Sequence, residues 1–268
     1  MLESIQSLNP VILALVAGIF TWGMTALGSL SVFFTKKPSR KLLDSMFGFA
    51  AGVMLAASFW SLLAPSIEMS TGKAIAKWFP AAVGFMLGSG FILAIDRLLP
   101  HLHFGFPVEE KEGIKTNLHL TTLFALAVTL HNIPEGMAVG AAFGSVTKDI
   151  SSLMTATTLA IGIGVQNVAE GAAVAMPIKC EGVSCVRSFN YGQLSAVVEP
   201  IAALLTALMV TSFQPIMPYA LAFAAGAMVY VVVEEVIPES QKAGNADLAT
   251  ISTLVGFVLM MVLDVAFT

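Results

Sequence analysis

The sequence predicts an all-α, polytopic membrane protein: eight transmembrane helices making one transmembrane domain over residues 1–268. Three observations carry that expectation. First, hydrophobic residues fill 57% of the positions and charged residues 11%, whereas an ordinary soluble domain carries roughly 25% charged residues. Such a chain cannot cover a globular surface with polar groups, so lipid is its expected solvent. Second, apolar runs of membrane-spanning length recur with short polar breaks between them. Third, the basic residues fall unevenly across those breaks.

The first apolar run covers 10–34. No basic segment precedes it and it is too long for the apolar stretch of a signal peptide, so it reads as a retained helix. The second and third runs, 42–65 and 79–100, carry Gly48-x-x-x-Gly52 and Gly84-x-x-x-Gly88, small-residue spacings that let helix backbones approach closely. The longest break, 101–116, holds His101 and His103 followed by Glu109, Glu110 and Glu112. The fourth and fifth runs are 117–145 and 152–176, and a short polar loop after them holds Cys180 and Cys185, read as free thiols. Runs at 190–211, 216–237 and 248–266 complete the set, with Asp264 read as interfacial. Short breaks make successive helices antiparallel neighbours. With both termini outside the cytoplasm, the inner breaks hold ten basic residues (Lys36, Lys37, Arg40, Lys41, Arg97, Lys111, Lys115, Lys179, Arg187 and Lys242) and the outer ones three, Lys73, Lys77 and Lys148. That bias predicts a multi-pass protein of the plasma or inner membrane with extracytoplasmic termini.

An ionisable side chain in hydrocarbon costs at least about 2.5–3.5 kcal/mol, so it needs a partner or a purpose. Most spans read as clean; the fourth, fifth and sixth do not. The fourth contains His131-Asn132-Ile133-Pro134-Glu135-Gly136 and the fifth Gln166-Asn167-Val168-Ala169-Glu170-Gly171. The pattern [H/Q]-N-x-x-E-G thus occurs once on each of two neighbouring helices, an internal repeat of a site. Residues four apart share a helix face, so His131 points with Glu135 and Gln166 with Glu170. Where the faces meet, an imidazole, an amide oxygen and two carboxylates converge. Asn132 and Asn167 lie about 100° round their helices and face a second point. Glu199, followed by Pro200 on the sixth span, brings a third carboxylate toward the asparagines. Pro134 and Pro200 remove backbone donors, which leaves the carbonyls of Leu130 and Ala196 short of their helical partners.

Nitrogen with carboxylate and amide oxygens is a mixed, borderline ligand set that suits Zn, Cd, Fe(II), Mn, Co or Ni. No thiolate is placed to close a tight structural site, and a carrier needs ligands that let go.

These motifs resemble those of the Zrt/Irt-like (ZIP) metal transporters, in particular their GufA-like branch. HNIPEG is similar to the family's fourth-helix signature, QNVAEG to its fifth, and VVEP around Glu199 to its acidic sixth-helix position. Residues 225–240 and 50–68 resemble its seventh and second helices. The resemblance implies transport of divalent metal toward the cytoplasm, no catalytic cofactor, and a binuclear centre. Its first site is His131, Glu135, Gln166 and Glu170; its second shares Glu135 and Glu170 and adds Asn132, Asn167 and Glu199. It further implies that helices 1, 4, 5 and 6 move against 2, 3, 7 and 8, and that the protein is a homodimer. Gln166 stands where many members have His, which leaves room for wider metal use, and Asn167 is neutral where some relatives have a carboxylate. Glu234 stands where a His often precedes the acid matched by Glu235.

Asp96 on the third span and Glu235 and Glu239 on the seventh fit an exit path for metal. Nucleic acid is not an expected partner. An intramembrane zinc hydrolase needs a closed catalytic site, but the chain has four His (His101, His103, His119 and His131), only the last deep in a span, and no H-E-x-x-H. A metal channel, or a metal-sensing membrane protein that transports nothing, shares the ligands. Topology is checked by cysteine labelling: residues 5 and 110 are expected to react from opposite sides of the membrane, and labelling from one side contradicts the predicted orientation.

Overall fold

In a computed structural model, the described residues are 9–35, 39–71, 76–98, 120–147 and 150–267. They form eight long helices: α1 Pro10–Phe34, α2 Arg40–Glu68, α3 Trp78–Leu98, α4 Leu120–Gly144, α5 Ile150–Cys180, α6 Cys185–Ser212, α7 Gln214–Gln241 and α8 Ala246–Phe267. Seven are long and apolar enough to cross a membrane. The eighth, α4, has the length, with 25 residues, and its run of His131, Asn132 and Glu135 dilutes its apolar character. The expected loop 101–116, with His101 and His103, lies outside the described residues, as do Lys36, Lys37, Lys73, Lys111, Lys115 and Lys148.

Helix starts follow local chemistry. Asn9 caps α1 by accepting a 2.9 Å hydrogen bond from the Val11 amide, with Pro10 in the first turn. Ser184 caps α6 through the Arg187 amide. Cys180 and Cys185 are free thiols at the facing ends of α5 and α6. The prolines act differently in different helices. α4 runs on through Pro134 and α5 through Pro177. α6 breaks at Ala196–Val197 and restarts with Glu199 in the first turn of its second segment. The Ala196 carbonyl, expected to lack a partner, accepts instead from the Glu199 amide at 3.0 Å. A tighter local turn recovers the bond that Pro200 removes.

α2 and α7 widen to a π-helical turn at Ser58–Leu63 and Val232–Val236, each shortly before a proline, Pro65 and Pro238. The Ala64 amide reaches the Phe59 carbonyl and the Ile237 amide the Val232 carbonyl, five residues back. The extra residue per turn is how these helices pass the missing donor.

The helices form two interlocked sets. α1, α4, α5 and α6 pack on one another, and so do the pairs α2–α8 and α3–α7. Glycines bring backbones together within each set. A Cβ at Gly52 of α2 or Gly88 of α3 would overlap the main-chain carbonyl of Thr253 of α8 or Phe223 of α7, as the two G-x-x-x-G spacings lead one to expect. Gly28 of α1 lies in the same way on Val168 of α5, and Gly136 of α4 on Glu199 of α6. Between the sets, Gly162 of α5 meets a side chain, the Met260 thioether of α8. One apolar core, including Leu13, Met54, Val139, Ile163, Met228 and Met260, runs through both sets. Apolar side chains such as Met86, Leu87 and Val265 remain exposed outward, as a lipid-facing surface requires.

Two acidic residues outside α4–α6 are also buried and bonded. Asp264, expected at the interface, is 2% exposed, and both its oxygens accept from the Ser61 hydroxyl at 2.8 and 2.9 Å. The widened turn of α2 supplies that hydroxyl to α8. Asp44 is fully buried between Arg40 at 2.8 Å and the Asn245 amide at 2.8 Å.

If backbone contact holds the α3–α7 pair, Gly88→Val is expected to lower stability in detergent by about 1–3 kcal/mol, the usual cost of overpacking. Gly90→Val on the same helix, where an added Cβ would meet no neighbouring atom within 4 Å, leaves the thermal midpoint unchanged. Equal midpoints for the two variants would contradict the backbone-contact account.

Candidate metal centre

The repeated motif places its polar residues where the first helix set closes on itself. Asn132, Glu135, Gln166, Asn167 and Glu199 are fully buried and Glu170 nearly so. Glu135 lies within electrostatic reach of both Glu170 and Glu199, so α4, α5 and α6 deliver three carboxylates to one region. Each carboxylate is engaged by an amide from a neighbouring helix. Gln166 Nε2 donates to Glu135 at 2.6 Å and Asn132 Nδ2 to Glu170 at 3.3 Å, so the two copies of the motif bond reciprocally across α4 and α5. Asn167 Nδ2 donates to both oxygens of Glu199 at 3.0 Å, and also to the main-chain oxygen of Thr21 at 3.2 Å.

Spending their N–H groups on carboxylates leaves the amide oxygens over. Among the described residues, Asn132 Oδ1, Gln166 Oε1, Asn167 Oδ1 and Glu135 Oε2 are buried and accept no hydrogen bond. A buried acceptor without a donor is costly, and four in one region form an oxygen-rich environment that suits a cation. No three His, Cys, Asp or Glu side chains among the described residues are grouped as a ready-made metal cluster; amides stand between the acids.

His131 departs from the expected convergence. It lies near Glu170, yet its Nε2 makes a close ion-pair contact with Glu235 of α7. Glu235 sits in the widened turn Val232–Val236, which carries its carboxylate toward α4. This contact joins the two helix sets, whereas the other interhelical bonds described above stay within one. Sequence reading assigned Glu235 to an exit path and missed this neighbour, because a 3.6-residue period does not foresee an inserted residue.

The other exit-path acids are placed as follows. Asp96 is buried in the last turn of α3. Glu239, in the last turn of α7, pairs with Arg40 at 2.9 Å and Lys242 at 3.4 Å. Thr21 and Thr25 of α1, which face Glu199, were also missed. Their signal was present as hydroxyl residues four apart in an otherwise apolar span.

Residues 107–264 match the sequence profile of the ZIP zinc transporter family. Over 97% of its length the chain is 41% identical to zinc transporter ZIP11 of Homo sapiens, 99% of which is covered. The chain belongs to the ZIP zinc transporter family. This ZIP protein is also 36% identical, over 94% of its length, to zinc transporter GufA of Myxococcus xanthus, with 98% of that protein covered. A third relative, zinc transporter ZIPB of Bordetella bronchiseptica, is 36% identical over 94% of the chain, with 81% of the relative covered. The family is one of transporters, not enzymes, so the hydrolase reading falls away.

The His131–Glu235 contact is tested by a double-mutant cycle on thermal stability. Removing one partner of a buried pair strands the other, at about 3–5 kcal/mol. His131→Ala and Glu235→Ala are therefore each expected to destabilise this ZIP protein strongly, and the double variant by clearly less than their sum. Additive losses would show that the two side chains do not depend on each other.

Proposed function

We propose that this ZIP protein carries zinc and related divalent ions, cadmium, iron(II) and manganese among them, toward the cytoplasm, by one transmembrane domain formed over residues 1–268. The observation that supports this reading best is the group of buried oxygens left over by the reciprocal amide–carboxylate pairs. An arriving ion replaces its hydration shell with these groups. As an amide turns its oxygen toward the ion, the carboxylate it had engaged becomes free to bind. His131, Glu135, Gln166 and Glu170 make the first site. Asn132, Asn167 and Glu199, with the shared Glu135 and Glu170, make the second. Only the first site contains an imidazole, so softer zinc and cadmium favour it and harder manganese leans on the oxygen-only second.

Release follows the second set of helices. Glu235 receives the ion next to His131, and Asp96 and Glu239 continue the path. Two sets that are glycine-locked within and meet through side chains favour a carrier, in which one set moves against the other, over a static pore. The basic bias in the sequence supports extracytoplasmic termini in a plasma or inner membrane, and the family resemblance supports a homodimer.

Uptake into proteoliposomes tests the reading. Flux is expected to saturate with metal. Glu135→Ala and Glu170→Ala abolish it, because each removes a carboxylate shared by both sites. Glu199→Ala leaves measurable transport with altered rate or selectivity. Gln166→His adds an imidazole and shifts competition toward zinc over manganese. If Glu199→Ala is as inactive as Glu135→Ala while Gln166→His changes nothing, the two-site assignment is wrong.

A further inference from the structure

Helix α1 carries no acid or base, yet it buries three hydroxyls four residues apart: Thr21, Thr25 and Ser29, all fully inaccessible. Burying a hydroxyl is costly unless it is bonded. Ser29 donates to the carbonyls of Thr25 and Gly171 at 2.9 and 3.2 Å and so joins α1 to α5. The two threonines are used differently. Thr21 Oγ1 donates to the Gly18 carbonyl at 3.1 Å, and Thr25 Oγ1 to the Thr21 carbonyl at a long 3.4 Å. Both hydroxyls face the Glu199 carboxylate. The Thr21 carbonyl also accepts from Asn167 Nδ2.

That last contact has a chemical consequence. A main-chain carbonyl can only accept, so it fixes which end of the Asn167 amide is nitrogen. The nitrogen lies between Thr21 and Glu199, and Oδ1 is turned away, buried and without a donor. The register of α1 is set beside these same residues. Gly18 packs against the main chain of Pro200, next to Glu199, and Gly28 against that of Val168, next to Asn167. A shift of α1 therefore moves the groups that orient Asn167 and Glu199.

We propose that Thr21 and Thr25 are positioning residues that hold Asn167 and Glu199 in register with each other and thereby set metal preference. The inference rests on the transport reading above. The Asn167–Glu199 half offers oxygen ligands only, whereas zinc also has the His131 imidazole. Loosening the oxygen half therefore penalises a hard ion such as manganese more than zinc.

The test is proteoliposome uptake of manganese and zinc by the full chain, with KM measured for each ion. A KM ratio does not depend on how much protein folds. Thr25→Val keeps the shape and removes the hydroxyl; it is expected to raise the manganese KM about fivefold, the scale of one net polar contact, and to leave the zinc KM nearly unchanged. Thr21→Val acts in the same direction, and Thr25→Ser restores both constants. In a Glu199→Ala background, Thr25→Val adds nothing, because the group it positions is gone.

Equal effects on the two ions, or a Ser variant as impaired as the Val variant, would overturn the inference in favour of packing. So would failure of Thr21→Val, Thr25→Val and Thr25→Ala all to fold, which makes the threonines structural. If the unmodified protein shows no saturable uptake, it is the transport reading that fails. If it transports and the threonine variants keep its ion preference, only this inference falls.

Discussion

Holding one carboxylate in hydrocarbon costs at least about 2.5–3.5 kcal/mol, and this bundle holds three, Glu135, Glu170 and Glu199, within reach of one another. Their immediate bonds come from neutral amides: Gln166, Asn132 and Asn167 each give N–H groups to a carboxylate on another helix. An amide settles a carboxylate without cancelling its charge, and it keeps an oxygen in reserve. A lysine or arginine in the same place would neutralise the acid and exclude a cation. The architecture follows from that choice, since the amides come from neighbouring helices and α1, α4, α5 and α6 must stay closely apposed.

Glycine supplies that apposition. Backbone lies on backbone at Gly28–Val168 and Gly136–Glu199 in the first set, and at Gly52–Thr253 and Gly88–Phe223 in the second. Such contacts tolerate little sliding, so each set behaves as a unit. Between the sets, side chains such as Met260 can yield. A polar contact that crosses this boundary joins His131, a candidate ligand, to Glu235 on the opposite set. In the proposed transport, an ion that engages His131 would compete with this contact, which would couple occupancy of the site to the freedom of one set to move.

Much of this was legible in the sequence. The paired H-N-x-x-E-G and Q-N-x-x-E-G motifs pointed to residues that the structure brings together, Asn132, Glu135, Gln166, Asn167, Glu170 and Glu199, because i,i+4 spacing survives in any regular helix. The two G-x-x-x-G spacings foretold that α2 and α3 pack closely, though not that their partners are α8 and α7. What escaped depends on departures from a regular helix or on side chains meeting across helices. The turns at Ser58–Leu63 and Val232–Val236 add a residue per turn, which hid the pairing of Ser61 with Asp264 and of Glu235 with His131. The break in α6 gave the Ala196 carbonyl a partner that the Pro200 rule alone denied it. Thr21 and Thr25 carry no charge, so the cost of burying an ionisable group does not mark them.

The amide oxygens and carboxylates of α4, α5 and α6 are proposed to receive a cation. Anomalous diffraction from crystals soaked in zinc tests this most directly. Density is expected among His131, Glu135, Gln166 and Glu170, with the Gln166 amide turned so that its oxygen faces the ion. Density elsewhere in the molecule and none among these residues would contradict the proposal.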